Sequence, residues 1–341
     1  MIRPAPLTAK ETARRLLAAE KPLIFIHTRP DGDAVGSGAA LCRFYMAQGK
    51  KVFLCPPDKL PDRLRFLVEG LPLLTPDVLD EIDADAVITL DVASRPQLGR
   101  MCEILPERLM PTLQIDHHER GELFADHFVM PDAAATGEVL FSLFLLMEKD
   151  GMIDKMPAEC ADPLFAAIAS DTGGFRFSNT SADSHRAAAE LLVRGADAPT
   201  VNRLLFESKS PDALKADALA AQSLTLDANG RIAHIAITEK LRADAGLADE
   251  FFDTAINIAR SVAGVEIAAS IREIAPQKFK VSLRAIRIDV AAIAASFGGG
   301  GHRLAAGFSF SAPTAEEVWE KVLPSLLHAL DHSKTVDNGA Q

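Results

Sequence analysis

Cysteine is scarce and scattered in this chain: Cys42, Cys55, Cys102 and Cys160 are the only four in 341 residues, and no two form a CxxC pair. That spacing excludes a zinc ribbon and offers no disulfide framework, so reduced thiols and a cytoplasmic location are expected. Long apolar runs are missing as well. None approaches the roughly 18 to 20 residues of a membrane span, and "MIRPAPLTAKETARRLLAAEK" at the amino end lacks the continuous apolar stretch of a signal peptide. Its Thr8 to Glu11, "TAKE", has instead the capping-box pattern that opens an amphipathic helix. Basic charge is also short. Lys and Arg number 36 against 47 Asp and Glu, a net −11, which argues against coating long duplex nucleic acid through a broad basic face but leaves room for a small phosphorylated ligand in a local pocket. Finally, GxxxxGK[ST], GxSxG and HExxH are all absent. The run "GSGAAL" fails GxGxxG at its last position and follows Asp31 and Asp33, which would repel a pyrophosphate, so neither a nucleotide triphosphatase nor a dinucleotide dehydrogenase is expected.

What is present reads as α/β. A chain of 341 residues is long for one core, and 48% hydrophobic with 24% charged residues is the usage of a soluble globular protein, so two domains are expected. In the first half, "PLIFIH", "KVFLCP", "DAVITLDV" and "TLQIDHH" read as strands separated by helix-period stretches such as "GSGAALCRFYMAQG", the alternation of a parallel sheet with crossover helices. The helices "TGEVLFSLFLLMEKDG", "PLFAAIASDTGG" and "SADSHRAAAELLVRGAD" follow, the last capped by Ser181. The second half restarts with the strand "RIAHIAIT", the helix "FFDTAINIARSV" and the strands "EIAASIREI" and "KFKVSLRAI". It passes through "SFGGGGHRLAAGFSF" into the helix "TAEEVWEKVLPSLLHAL". A domain over 1–190, a polar alanine-rich linker over 191–228, and a smaller mixed α/β domain over 229–331 are expected, with a fraying polar tail after Asp331.

Ligands of parallel sheets collect at the carboxyl ends of the strands. There the sequence places His27, Asp31 and Asp33 after the first strand, Asp91 in the third, and Asp116 and His117 on the fourth, while Asp171 ends an apolar helical stretch. An isolated "DGD" is ordinarily a solvated turn, and an isolated "DHH" a helix cap beside loop histidines. Six groups from four segments, His27, Asp31, Asp33, Asp91, His117 and Asp171, point instead to a two-metal centre, because an unpaired carboxylate ending a buried strand is costly unless it meets a cation. Nitrogen and oxygen donors without sulfur favour manganese, with magnesium, cobalt and iron(II) as alternatives. Such a centre activates a bridging water and clamps phosphoryl oxygens, the chemistry of phosphate-ester hydrolysis. The second feature is the glycine run 298–301. Taken alone such a run is a flexible turn, but with His302 and Arg303 at its edge and Arg284 within reach it can present several N–H groups to one anion.

In order along the chain, "HTRPDGDAVGS", "TLDVAS", "IDHH" with Asp116, His117 and His118, "SDTGGFRFSNTS" and finally "GGGGHRLAAG" together resemble the DHH phosphoesterase family. The resemblance implies an N-terminal DHH domain and a smaller DHH-associated domain, with the active site in the cleft between them. It assigns His27, Asp31 and Asp91 to one metal and Asp33, Asp91, His117 and Asp171 to the other, with Asp91 bridging. It sets His118 beside the scissile phosphate with Asp116 behind it, and gives the substrate's other phosphate to Arg284, Gly299, Gly300, Gly301, His302 and Arg303. Chain length and the glycine motif look most like the stand-alone nanoRNase and pAp phosphatase branch, and the 6% aromatic content suits short oligonucleotides better than long strands. The expected activity is therefore hydrolysis of very short oligoribonucleotides, with removal of the 3′-phosphate of pAp. Cleavage of c-di-AMP or pApA and a nucleotide-sensing binding protein are the alternatives. No membrane partner is expected, and the family implies a homodimer.

Overall fold

The computed structural model describes residues 4–104 and 112–337. Two compact units divide the chain after Ser208.

The first unit is built on a parallel sheet of β1 (Pro22–Phe25), β2 (Phe53–Cys55), β3 (Ala86–Leu90), β4 (Leu113–Asp116) and β5 (Asp126–Val129), in the order β2-β1-β3-β4-β5. The inner strands are mostly apolar because both faces are covered, and their polar side chains Thr89, Gln114 and Asp116 are buried with them. Ile24, Ile88, Leu113 and Ile115 pack into the larger core, whereas Leu23, Phe25 and Val87 face Leu79, Leu98, Met101 and Phe124. The first four strands match the sequence expectation. The fifth escaped it, since "DHFV" is half-buried at every position and carries no apolar run. It is extended by the amino-terminal segment, where the Leu7 N–H donates to the His127 carbonyl at 2.8 Å.

Seven helices among the described residues accompany this sheet: α1 (Ala9–Ala18), α2 (Gly32–Ala47), α3 (Met101–Ile104), α4 (Thr136–Lys149), α5 (Ala161–Asp171), α6 (Ala182–Val193) and α7 (Ala198–Asn202). The capping box at Thr8 and Glu11 forms, and Ser181 caps α6. Close helix contact decides the site's geometry. A β-carbon at Gly36 of α2 would lie 2.5 Å from the Pro163 carbonyl of α5, and one at Gly137 of α4 would overlap the Ala167 side chain. Glycine at these two places lets α2, α4 and α5 approach backbone to backbone. That approach brings the start of α2, the start of α4 and the end of α5 to one spot.

The span 191–228, read from sequence as a linker, is mostly helical. It holds the end of α6, α7, a π turn at Arg203–Glu207, and α8 (Pro211–Gln222), whose small buried face is Ala216 and Ala220. Alanine-rich polar composition suits such a helix as well as it suits a linker.

The second unit holds a six-stranded sheet in the order β10-β11-β9-β8-β7-β6, from β6 (Thr225–Asp227), β7 (Ile232–Ile237), β8 (Ile267–Ala275), β9 (Lys278–Ala285), β10 (Gly300–His302) and β11 (Ala305–Ser311). Only β7 and β8 pair in parallel. The helices are α9 (Glu239–Ala245), α10 (Ile256–Arg260), α11 (Val290–Ser296) and α12 (Ala315–Asp337). The stretch "FFDTAINIARSV" is not one helix: a 3₁₀ turn, Asp249–Phe252, precedes the short α10. Buried Arg272 of β8 accounts for the break, because it draws the Asp253 carboxylate to 2.6 Å and the Asp249 carbonyl to 3.3 Å. The helix α12 continues through Asp337, past the expected fraying point at Asp331. No helix among the described residues is long and apolar enough to cross a membrane.

Replacing Gly36 with Val should lower the stability of the first unit by about 1–3 kcal/mol, the usual cost of overpacking, as measured by urea unfolding.

Candidate metal centre

The sequence alone sets Asp31 and Asp33 just after the first strand. The structure places them at the start of a helix. Asp31 is the N-cap of α2, its Oδ1 accepting the Asp33 and Ala34 N–H groups at 3.0 and 3.1 Å, and Asp33 sits in the first turn. Both carboxylates lie at the positive end of the helix dipole. Asp33, fully buried, is held from a second direction. Its oxygens accept the Thr136 and Gly137 N–H groups of α4 at 2.6 and 2.9 Å and the Ser37 hydroxyl at 3.0 Å. Ala135 has no side chain to cap α4, and Asp33 supplies the missing acceptor from 103 residues away.

Asp91 follows the last residue of β3 and takes φ +59°, a left-handed conformation that aspartate tolerates better than most side chains. Its side chain is 3% exposed, and its two oxygens face different histidines. Oδ2 lies 3.4 Å from His27 Nε2, and Oδ1 lies 3.6 Å from His117 Nε2. The Thr136 hydroxyl donates to Oδ1 at 3.2 Å. Around the first histidine gather His27, Asp31 and Asp91; around the second, Asp33, His117 and Asp171, with the donor atoms of each group within 4.8 Å of one another. Asp171 ends α5, where the helix dipole disfavours a negative charge, and its Oδ2 is 3.4 Å from His117 Nε2.

Both imidazoles face the carboxylates through Nε2. His27 Nδ1 lies 2.7 Å from the Thr28 carbonyl and His117 Nδ1 lies 3.2 Å from the Ala133 carbonyl, contacts that set a proton on Nδ1 and leave Nε2 as the atom able to bind a cation when it carries no proton. His118 is arranged differently. Buried Asp116 uses Oδ1 to accept the His117 and His118 backbone N–H groups, at 2.8 and 3.2 Å, and His118 Nδ1 at 2.7 Å. Asp116 thus orients His118.

The protonation balance shows what the cluster lacks. Burial, and then the charges of Asp91 and Asp31, push Asp33 well above the usual carboxylate range; burial, followed by Asp33, Asp31 and Asp91, does the same to Asp171. Burial opposes charge on His27, but Asp31 and Asp91 hold it well above its ordinary value. Burial would raise Asp91 too, yet hydrogen bonding and charge from His27, followed by the charges of His118 and His117, keep it well below. His118 is pushed up to about 9 against its burial, chiefly by Asp116. Such a cluster takes up protons in place of a missing positive charge. Its donors, four carboxylates and two imidazoles without sulfur, fit two hard or borderline divalent cations, whose combined charge equals that of the four carboxylates.

Sequence reasoning missed Thr136, Gly137 and Ser37, which fix the carboxylates. A Thr-Gly pair opening an apolar helix behind an uncapped alanine was the available signal.

Within the second unit, the glycine run is partly strand. Gly298 ends α11 at φ +77°, Gly299 lies against the Gly307 carbonyl, and Gly300 to His302 form edge strand β10. His302 pairs with Ala305, which pairs with Arg284, so His302 and Arg284 flank Ala305 on one face of the sheet. Arg303 lies at the exposed hairpin turn, with Nη2 donating to the Arg287 carbonyl at 3.1 Å.

Because ligands must shed protons to bind a cation, and Asp33, Asp171 and His27 hold theirs to higher pH than usual, affinity for Mn(II) should rise with pH and fall as pH drops. Titration calorimetry in buffers of different ionisation enthalpy should register proton release on binding; equal affinity at pH 6 and pH 8 would contradict this account.

Two family models match, the DHH family N-terminal domain over residues 21–168 and the DHHA1 domain over residues 233–333. The bifunctional oligoribonuclease and PAP phosphatase NrnA of Thermus thermophilus is 32% identical, covering 93% of both chains, and that of Bacillus subtilis is 26% identical over 88% of this chain and 92% of its own. The cyclic-di-AMP phosphodiesterase GdpP of Bacillus subtilis is 25% identical over 91% of this chain but only 47% of its own length. Among solved structures, an exopolyphosphatase-related protein from Bacteroides fragilis superposes with a TM-score of 0.82 at 25% identity, covering 93% of this chain and 95% of that one. With DHH and DHHA1 domains in sequence, a strand-end cluster of histidines and aspartates, and NrnA relatives that align along nearly their whole length, this chain belongs to the DHH family.

Proposed function

We propose that the protein is a phosphohydrolase with a two-cation centre that cleaves very short oligoribonucleotides and removes the 3′-phosphate of pAp. The observation that carries this reading is Asp91, a buried carboxylate whose two oxygens face two separate groups of nitrogen and oxygen donors. Its support comes from the near full-length relatives whose names carry both activities. His27, Asp31 and Asp91 would hold one cation, and Asp33, Asp91, His117 and Asp171 the other, with manganese favoured by the donor set. Two such cations would supply Lewis acidity and lower the pKa of a water.

The chain's own groups do the rest. Asp91 fixes the separation of the two donor groups, and Thr136 fixes Asp91. Asp33, clamped by three hydrogen bonds from α2 and α4, is a rigid ligand that needs no reorganisation. His118, its ring held by Asp116 through Nδ1, can act on a phosphoryl or leaving oxygen through Nε2. Arg284, His302, Arg303 and the backbone of Gly299, Gly300 and Gly301 are the proposed grip on the second phosphate. Cytoplasmic short oligonucleotides and small phosphorylated nucleotides are the proposed partners.

A panel of pApA, a five-nucleotide RNA, a 24-nucleotide RNA, pAp, c-di-AMP and pyrophosphate, incubated with and without chelator, tests the proposal by chromatography. Mononucleotides from pApA, turnover of pAp and sparing of the long RNA are expected, all lost with chelator. Cleavage of c-di-AMP alone would transfer the assignment to the activity named for the GdpP relatives. Tight nucleotide binding without turnover would make the chain a sensor.

Asp91→Asn should abolish hydrolysis while the chain remains folded by circular dichroism. Thr136→Val, losing one hydroxyl, should weaken Mn(II) binding about tenfold, as removal of an outer partner of a metal ligand commonly does.

A further inference from the structure

Between His27 and Asp31 stands Arg29, two residues from each, and the metal cluster does not account for it. Its backbone takes φ +50°, a left-handed conformation that costs a non-glycine residue free energy, and it precedes Pro30, whose ring restricts the residue before it further. The surroundings enforce this conformation. The Arg29 N–H donates to Asp58 Oδ2 at 2.7 Å, and the preceding Thr28 N–H donates to the Gln97 carbonyl at 2.6 Å, so the loop is pinned from two sides. The side chain is treated in the opposite way. Arg29 is exposed, and among the described residues no carboxylate, carbonyl or aromatic ring is recorded against its guanidinium.

A strained, pinned backbone beneath an unengaged cation is an arrangement for aiming that cation. Four carboxylates facing two divalent ions leave the cluster near neutrality, with no surplus positive charge for an anionic substrate. An exposed arginine two residues from each of His27 and Asp31 can supply one, and its planar fork matches two oxygens of a phosphoryl group. We propose that Arg29 grips a phosphoryl group of the substrate beside the metal cluster and is a catalytic residue of the reaction. The inference rests on the phosphohydrolase reading for its substrate, but the grip on phosphate can be measured without turnover.

Arg29→Ala, Arg29→Lys and Arg29→Gly in the full-length, manganese-loaded chain test it. For pApA, kcat/KM should fall at least tenfold in the Ala and Gly variants and recover in part with Lys. Mn(II) stoichiometry and affinity should not change. Inorganic phosphate should bind the Ala and Gly variants at least fivefold more weakly than the wild type by calorimetry. Glycine accepts φ +50° without strain, so Arg29→Gly should keep or raise the melting temperature, which separates lost grip from lost fold. Unchanged kcat/KM and phosphate affinity in the Gly variant would overturn the inference, as would losses that track lost manganese. If wild type cleaves nothing in the panel, the functional reading fails, and the phosphate titrations still decide the role of Arg29.

Discussion

Carboxylates cannot be buried together without a countercharge, and the first unit is arranged around that constraint. Asp31 and Asp91 offer oxygens within 4.8 Å of one another, as do Asp33 and Asp171. At an effective dielectric near 20, two like charges about 4 Å apart cost about 4 kcal/mol. A few such pairs would rival the 5–15 kcal/mol by which a whole domain is ordinarily stable. The fold meets part of this cost with helix N-termini and three histidines, and the protons drawn onto Asp33 and Asp171 meet another part. The remainder is a demand for cations. The ability to bind metal is thus a consequence of how the chain packs its acidic groups.

Packing in turn depends on small residues distant from any chemistry. With a β-carbon at Gly36, α2 and α5 would have to move apart, carrying with them Asp33 and Asp171, which face the same histidine. The run that failed the dinucleotide fingerprint, "GSGAAL", lies inside α2, where its first glycine, Gly36, packs against α5.

Much of this was legible beforehand, for identifiable reasons. Mostly apolar runs marked β1 to β4 because the sheet is covered on both faces, and the aspartates and histidines at the ends of such runs marked the site because burial makes them expensive. Strand β5 was not legible, since an edge strand half-covered by the amino-terminal segment needs no apolar pattern. The break before α10 was hidden for a different reason: it answers to Arg272, a partner supplied by another strand. Thr136 and the oxygen-by-oxygen division of Asp91 required coordinates, because neither a hydrogen bond across 45 residues nor the direction of a single oxygen leaves a mark on local sequence.

Asp91 also shows how narrowly one position can be specified. Its left-handed backbone selects for glycine, asparagine and aspartate, while its place between two sets of ligands selects for a carboxylate with two oxygens. Each filter alone passes several residue types; only aspartate passes both. Glutamate satisfies the charge but not the backbone, and asparagine the backbone but not the charge. The neutral drift open to most buried positions, by way of a similar residue, is therefore closed here on every side.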